Sequence, residues 1–165
     1  MKIIPYQKLE FRTSLSETEL EQQLSENIMP KRGIQLGFSK KADDKIFEGT
    51  FSYEQFNIQR VIYYKNSFLP QVQGSYRNFN SGTTISVVLK MHDFVSIFMI
   101  IWLSLVSVAF IFTLYGVMVQ ETTPIAVIFP LVMLAFGFSL PHLAFQHEKK
   151  KTISALEKML NASPK

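Results

Sequence analysis

Apolar residues fall at every second position along much of the first 91 residues, and then the alternation stops. Tyr6 to Thr13 sets Leu9 and Phe11 against Lys8, Glu10 and Arg12, the period of a half-buried strand. Leu20, Leu24 and Ile28 then repeat every four residues, which predicts a short helix with a narrow apolar stripe. Ser16-Glu17-Thr18-Glu19 opens it as a capping box, and Pro30 and Gly33 end it. Two-residue alternation returns at Ile34, Leu36 and Phe38, followed by a charged turn from Lys40 to Lys45. Further strands are expected over Phe47 to Tyr53, Phe56 to Tyr64, Phe68 to Tyr76 and Thr83 to Met91. Lys65-Asn66-Ser67 and Asn78 to Gly82 are the turn candidates between them. Pro70 suits a sheet edge or a strand start.

From Phe94 to Val119 the chain has 26 residues without a charge, and from Ile125 to Phe145 another 21. About 20 apolar residues suffice for a helix to cross a ~30 Å hydrocarbon core. The pair predicts a transmembrane helical hairpin with spans of about 94–119 and 125–145, in which Pro130 and Pro141 should kink the second span. Ala135 and Ser139, one helical turn apart, are expected to help the spans pack closely, with self-association a further possibility. After the hairpin, Glu148 to Asn161 reads as an amphipathic helix with Ile153, Leu156 and Leu160 on one side. Short turns favour antiparallel pairing. The expected fold is therefore α+β: an antiparallel meander sheet with one or two covering helices, and a membrane hairpin inserted before the C-terminal helix. The organisation is a cytosolic domain over 1–93, the hairpin over 94–145 and a basic tail helix over 146–165. A tail that returned to the sheet would supply the second cover.

Charge adds an orientation. The 93 residues before the first span carry a net +2, the break between spans has only Glu121, and the chain from Ile125 onward carries +3. Lys90 and Lys149 to Lys151 flank the spans on one side, so by the positive-inside rule both termini face the cytoplasm of an inner membrane. A net charge of +4 without a dense basic cluster disfavours nucleic acid as a partner. The sequence has no cysteine, which excludes disulfides and thiolate metal sites. The N-terminus has neither an apolar core segment nor a cleavage signature, so it is not expected to be a signal peptide.

Tyr64-Lys65-Asn66-Ser67-Phe68-Leu69-Pro70, the following Gly74, Gly82-Thr83 and the run from Met91-His92 into the first span form a recognisable series. Over roughly residues 46–102 it resembles a family of small uncharacterised bacterial two-span membrane proteins. The resemblance implies a bacterial inner membrane and carries over no functional residue.

Seven residues stand out as candidate ligand or interface positions. His92 and His142 lie just before the first span and near the end of the second, where two imidazoles can sense pH or share a metal, or simply settle at the interface. Arg60 falls on the apolar side of its strand by alternation; there it can grip an anion in bidentate fashion, unless a bulge at Gln59 turns it outward. Gly74 marks a bend or a close approach. Asn66 organises a turn that offers Phe68 and Leu69 to a partner, the tail helix or the lipid surface. No nucleophile elbow, phosphate loop or zinc motif occurs, and neither span contains Asp, Glu, Lys or Arg. No catalytic residue, cofactor or metal is assigned. The expected function is a non-enzymatic, membrane-anchored interaction or ligand-binding module, with the lipid bilayer and a protein partner or second copy as its partners. The alternatives are a ligand-gated, membrane-disrupting effector that oligomerises through its spans, and an immunity or assembly factor for a membrane partner.

Overall fold

A computed structural model describes residues 4–30, 45–79 and 82–164. The expected strand at Ile34 to Phe38, the terminator Gly33, most of the charged turn before Lys45 and the tip of the turn at Asn78 to Gly82 lie outside the described residues. The rest is an α+β fold. Strand β1 (Tyr6–Thr13) is followed by helix α1 (Glu17–Asn27) and a three-residue strand β2 (Ile28–Pro30). Strands β3 (Phe47–Ser52), β4 (Gln55–Arg60), β5 (Gln71–Phe79) and β6 (Gly82–Lys90) form an antiparallel meander. Helices α2 (Asp93–Met118) and α3 (Ile128–Leu160) complete the chain, joined by a 3₁₀ turn at Pro124–Val127.

The sheet is mixed, in the order β1-β6-β5-β4-β3-β2. β1 closes the far edge antiparallel to β6, and β2 lies parallel to β3. The cross-strand register explains why one covered face is enough. Phe56, Gly74, Val87 and Leu9 stand in one row, and Ile58, Val72 and Leu89 in another on the same side. The opposite side carries Glu10, Ser86, Ser75 and Gln55, with Arg12, Thr84 and Arg77 beside them. That face is polar and stays in water, as antiparallel sheets allow. Leu20 and Leu24 of α1 and Phe145, Leu156 and Leu160 of α3 bury themselves with the apolar face in one core. The C-terminal residues of α3 thus supply the expected cover.

Several boundaries differ from the sequence expectation. Helix α1 does start at the capping box: Ser16 Oγ accepts from the Glu19 amide at 3.3 Å, and Glu19 Oε2 from the Ser16 amide at 2.8 Å. It stops at Asn27, because Ile28 turns extended and pairs with Phe47. β4 ends at Arg60 rather than at Tyr64. Phe68 is in a turn, and β5 begins only after Pro70, which has no amide to give to a ladder. The second span and the tail helix are not two elements but one 33-residue helix, about 50 Å long at ~1.5 Å per residue. Pro141 lies inside this helix without ending it. Pro130 falls in its first turn, where amides lack intrahelical acceptors, so it breaks no hydrogen bond.

Both α2 and α3 are long and apolar enough to cross a membrane, and only 17% of the most apolar window of each is buried. A core helix of a water-soluble domain would be mostly buried. Here Phe94, Phe112, Met118, Phe129 and Leu143 all point away from protein. The two helices touch at Gly137, where a β-carbon would come 2.4 Å from Trp102 Cζ3. Ala135 and Ser139, expected to pack within the hairpin, are exposed instead, because they lie two residues either side of the buried Gly137.

Candidate functional site

Arg60 ends β4 on the same side as Phe56 and Ile58 and pairs in regular register with Phe47. No bulge intervenes at Gln59, whose own pairing with Glu48 is regular. Simple alternation therefore does direct this arginine at the covered face. What it meets there is an anion from the chain itself. On α3, Phe145, Glu148, Thr152, Leu156 and Met159 are buried at three- and four-residue spacing, which puts one acid into an otherwise largely apolar stripe.

The Glu148 side chain is 4% exposed and that of Arg60 18%. Arg60 Nη2 donates to Glu148 Oε2. Tyr64 Oη donates to Glu148 Oε1 at 2.6 Å and accepts from Arg60 Nη2 at 3.4 Å. Lys151 Nζ stands 3.5 Å from the same Oε1. Buried charges persist only when paired and hydrogen-bonded, and both carboxylate oxygens are engaged. Burial pushes the Glu148 carboxyl up, but the Tyr64 hydroxyl, the Arg60 charge and Lys151 together outweigh it and hold the group below its ordinary value. Arg60 Nε is buried with no acceptor among the described residues.

Beside this clasp lies an open groove of about 700 Å³ between the Lys45–Ile46 segment, the chain leaving β4 and the final turns of α3. Its charged lining is Lys45, Arg60, Lys150, Lys151 and Lys158, with Tyr63 at one wall and no acid among the described residues. Lys45 also closes α1, donating to the carbonyls of Ser25 at 2.9 Å and Ile28 at 3.1 Å. Such an arrangement attracts anions and holds them by charge-assisted hydrogen bonds.

The other candidates are placed as follows. Asn66 Oδ1 accepts from the Phe68 amide at 3.0 Å, a side-chain-stabilised turn. That turn buries Leu69 and lays Phe68 on the two long helices, at the mouth of an apolar hollow of about 370 Å³ lined by Phe98, Trp102, Phe136 and Pro141 among others. Phe68 thus lies against the span portions of α2 and α3, a contact not among the three expected for it. Gly74 is a packing residue: its missing β-carbon would lie 2.0 Å from Phe56 Cζ, so the ring of the paired residue covers it.

His92 caps α2, its Nδ1 accepting from the Phe94 amide at 3.2 Å. His142 Nδ1 donates to the Phe138 carbonyl at 2.8 Å within α3. Each of these contacts is to the backbone of the histidine's own helix, and no group of three metal-ligating side chains occurs among the described residues.

Sequence reasoning passed over Glu148, Tyr64 and the lysines of the groove. A signal for the first existed: Arg60 and Glu148 are opposite charges, each on the apolar side of its own element. Two such misplacements are most economically resolved by one pair. No protein-family model matches the chain, nor does any curated protein or solved structure.

Proposed function

We propose that the chain is a membrane-anchored ligand-binding or interaction module, with the helices α2 and α3 in a bacterial inner membrane and the sheet domain and both termini in the cytosol. The observation that carries this reading is the contrast between the two ends of α3. Its first five turns expose apolar side chains of the kind that lipid accepts, and its last turns form part of the sheet core beside a basic groove. Lys90 and Lys149 to Lys151 at the sheet end, against Glu121 alone between the helices, support the orientation. The resemblance of residues 46–102 to bacterial two-span proteins supports the location. The module is non-enzymatic in this reading, because the buried acid and base at its centre neutralise each other instead of facing a substrate.

The test is fractionation followed by topology reporters. The full chain should stay with membranes through an alkaline carbonate wash and come out only with detergent. A C-terminal fluorescent fusion should mature, and alkaline phosphatase inserted at Thr122 should be active. A chain that is monodisperse in detergent-free buffer overturns the anchor. Growth arrest with depolarisation on induced expression would replace the module by the membrane-disrupting alternative.

A further inference from the structure

We infer that the groove between β4 and the end of α3 is a binding site for an organic phosphate carrying more than one phosphoryl group. The inference deepens the ligand-binding reading above and rests on it for the cytosolic setting.

Five cations line one concavity, and among the described residues the acid that touches them is already committed. Glu148 is taken up by Arg60, Tyr64 and Lys151, and the lining itself contains no carboxylate among the described residues. Lys150 and Lys158 have no acidic partner among the described residues. Eight residues apart, with Ser154 between them, they share one face of α3. A basic helix face lying flat on a membrane would serve only as a counter-charge to headgroups. This one is instead walled on a second side by Lys45 and the β4 exit, which makes a cleft of the size that small ligands fill.

Position along α3 argues for the number of phosphoryl groups. Lys150 lies about 8 Å beyond Phe145 and Lys158 about 20 Å beyond it, at ~1.5 Å per residue. Two or more phosphoryl groups on one scaffold meet both lysines with their side chains extended, whereas a single phosphate would require both to fold toward one point. The wall also contains Ile46 and Val61, and the Tyr63 ring beside them gives a flat apolar surface for a ring of the ligand. Arg60 stays neutralised by Glu148 at the floor, so the charge open to a ligand comes from Lys45, Lys150 and Lys158. The near end can meet a phosphorylated lipid headgroup and the far end a freely diffusing phosphate ester, so one chemistry has two sources.

The experiment uses the full chain in neutral detergent and in nanodiscs of zwitterionic lipid, titrated calorimetrically with inorganic pyrophosphate and with adenosine triphosphate. Parallel nanodiscs carry a phosphoinositide or phosphatidylglycerol, and binding is read as competition with pyrophosphate. Lys150→Gln with Lys158→Gln changes two exposed side chains; Arg77→Gln on the solvated sheet face is the control.

Saturable binding of a soluble probe that weakens about tenfold or more in the double variant, and is unchanged in the control, supports the site and a soluble source. Competition by a phosphorylated lipid with the same dependence on the double variant supports the site and a headgroup source. The absence of saturable binding to any probe overturns it, as does equal weakening by Arg77→Gln. Because the detergent titration does not depend on membrane insertion, its failure is separate from a failure of the fractionation test.

Discussion

Replacing Arg60 by methionine should destabilise the sheet domain more than an exposed ion pair could account for, and replacing Glu148 as well should restore most of the loss. Glu148 is 4% exposed, so without Arg60 its carboxylate keeps only the Tyr64 hydroxyl and a lysine 3.5 Å away. Removing one partner of a buried pair costs about 3–5 kcal/mol. Arg60 is not wholly enclosed, and Lys151 is half-exposed and screened by water, so a loss at or just below that range applies: about 2–3 kcal/mol for Arg60→Met. Glu148→Met should cost about 1–2 kcal/mol, because the freed guanidinium sits beside the groove and can reach water. With both charges gone, two apolar side chains of similar length fill the space and the loss should be about 1 kcal/mol or less.

The cycle then returns a coupling of about 3 kcal/mol, at the top of the range for residues in contact. The assay is a urea titration of the full chain in detergent micelles, followed by hydrogen exchange at the amides of β4 and β6. Those strands report on the domain while the micelle preserves the hairpin. If the double variant loses the sum of the single losses to within about 0.5 kcal/mol, the two side chains are independent and the clasp does not hold the domain together.

Four further outcomes are expected. Glu148 titrates below the ordinary 4.5 in the folded chain, so its contribution is complete above that value and is lost as pH falls through the folded one; the gap in urea midpoint between wild type and Glu148→Gln should be constant through neutral pH and close only below about 4.5, and a gap that persists there contradicts the assignment. Burial, reinforced by the bond to Glu21, lifts the Tyr76 hydroxyl from 10.0 to about 12, so the stability this gives is present below 10 and lost as pH rises through 12; absorbance titration should show Tyr76→Phe losing the last phenol to ionise, not one ionising near 10. Gly74→Ala drives a methyl into the Phe56 ring and should cost about 1–3 kcal/mol, partly recovered by adding Phe56→Leu; equal stability of Gly74→Ala and wild type in thermal unfolding would refute that packing. Gly137→Leu should part the two long helices and shift the emission of Trp102, the only tryptophan, while unchanged emission would mean that the contact is not formed.

How much of this was legible in the sequence differs by element. Alternation located β1, β3, β4 and β6 to within a few residues, because one face of the sheet is buried and the other is wet, and a two-residue period records that directly. It could not say which strands are neighbours: β1 pairs with β6, about 70 residues later, and periodicity identifies a face but not a partner. β2 was absorbed into the helix because Ile28 continues the Leu20–Leu24 stripe, and only its pairing with Phe47 decides the matter. The single helix α3 was divided at Phe145 because hydropathy changes there, yet Glu148 to Lys151 are good helix formers and nothing in them stops the backbone. Gly74 was recognised as a close approach without its partner, since the ring that covers it comes from the neighbouring strand. The groove was invisible because Lys45, Arg60 and the lysines of α3 are brought together only by the return of the tail to the sheet.

That return also explains why an ion pair belongs at this junction at all. Phe145, Leu156, Met159 and Leu160 fix α3 to the sheet by apolar contact, which is strong but not directional. A helix held only by such contacts can slide or rotate with modest loss, since one apolar side chain serves nearly as well as the next. Arg60 removes that freedom. A slip of one residue along α3 would bring Lys149 in place of Glu148, setting like charges together at a largely buried site, and a slip the other way would bring His147. A shift of one turn would offer Ala144 or Thr152, leaving the guanidinium buried without its counter-charge. Only the observed register satisfies Arg60, Tyr64 and the apolar contacts at once. Phe68 seated on the long helices on the other side of the clasp adds a second fixed point. The sheet domain is thus keyed to one rotational setting of the helix that leaves it, and any turn or tilt of that helix must either carry the sheet with it or break the Arg60–Glu148 pair.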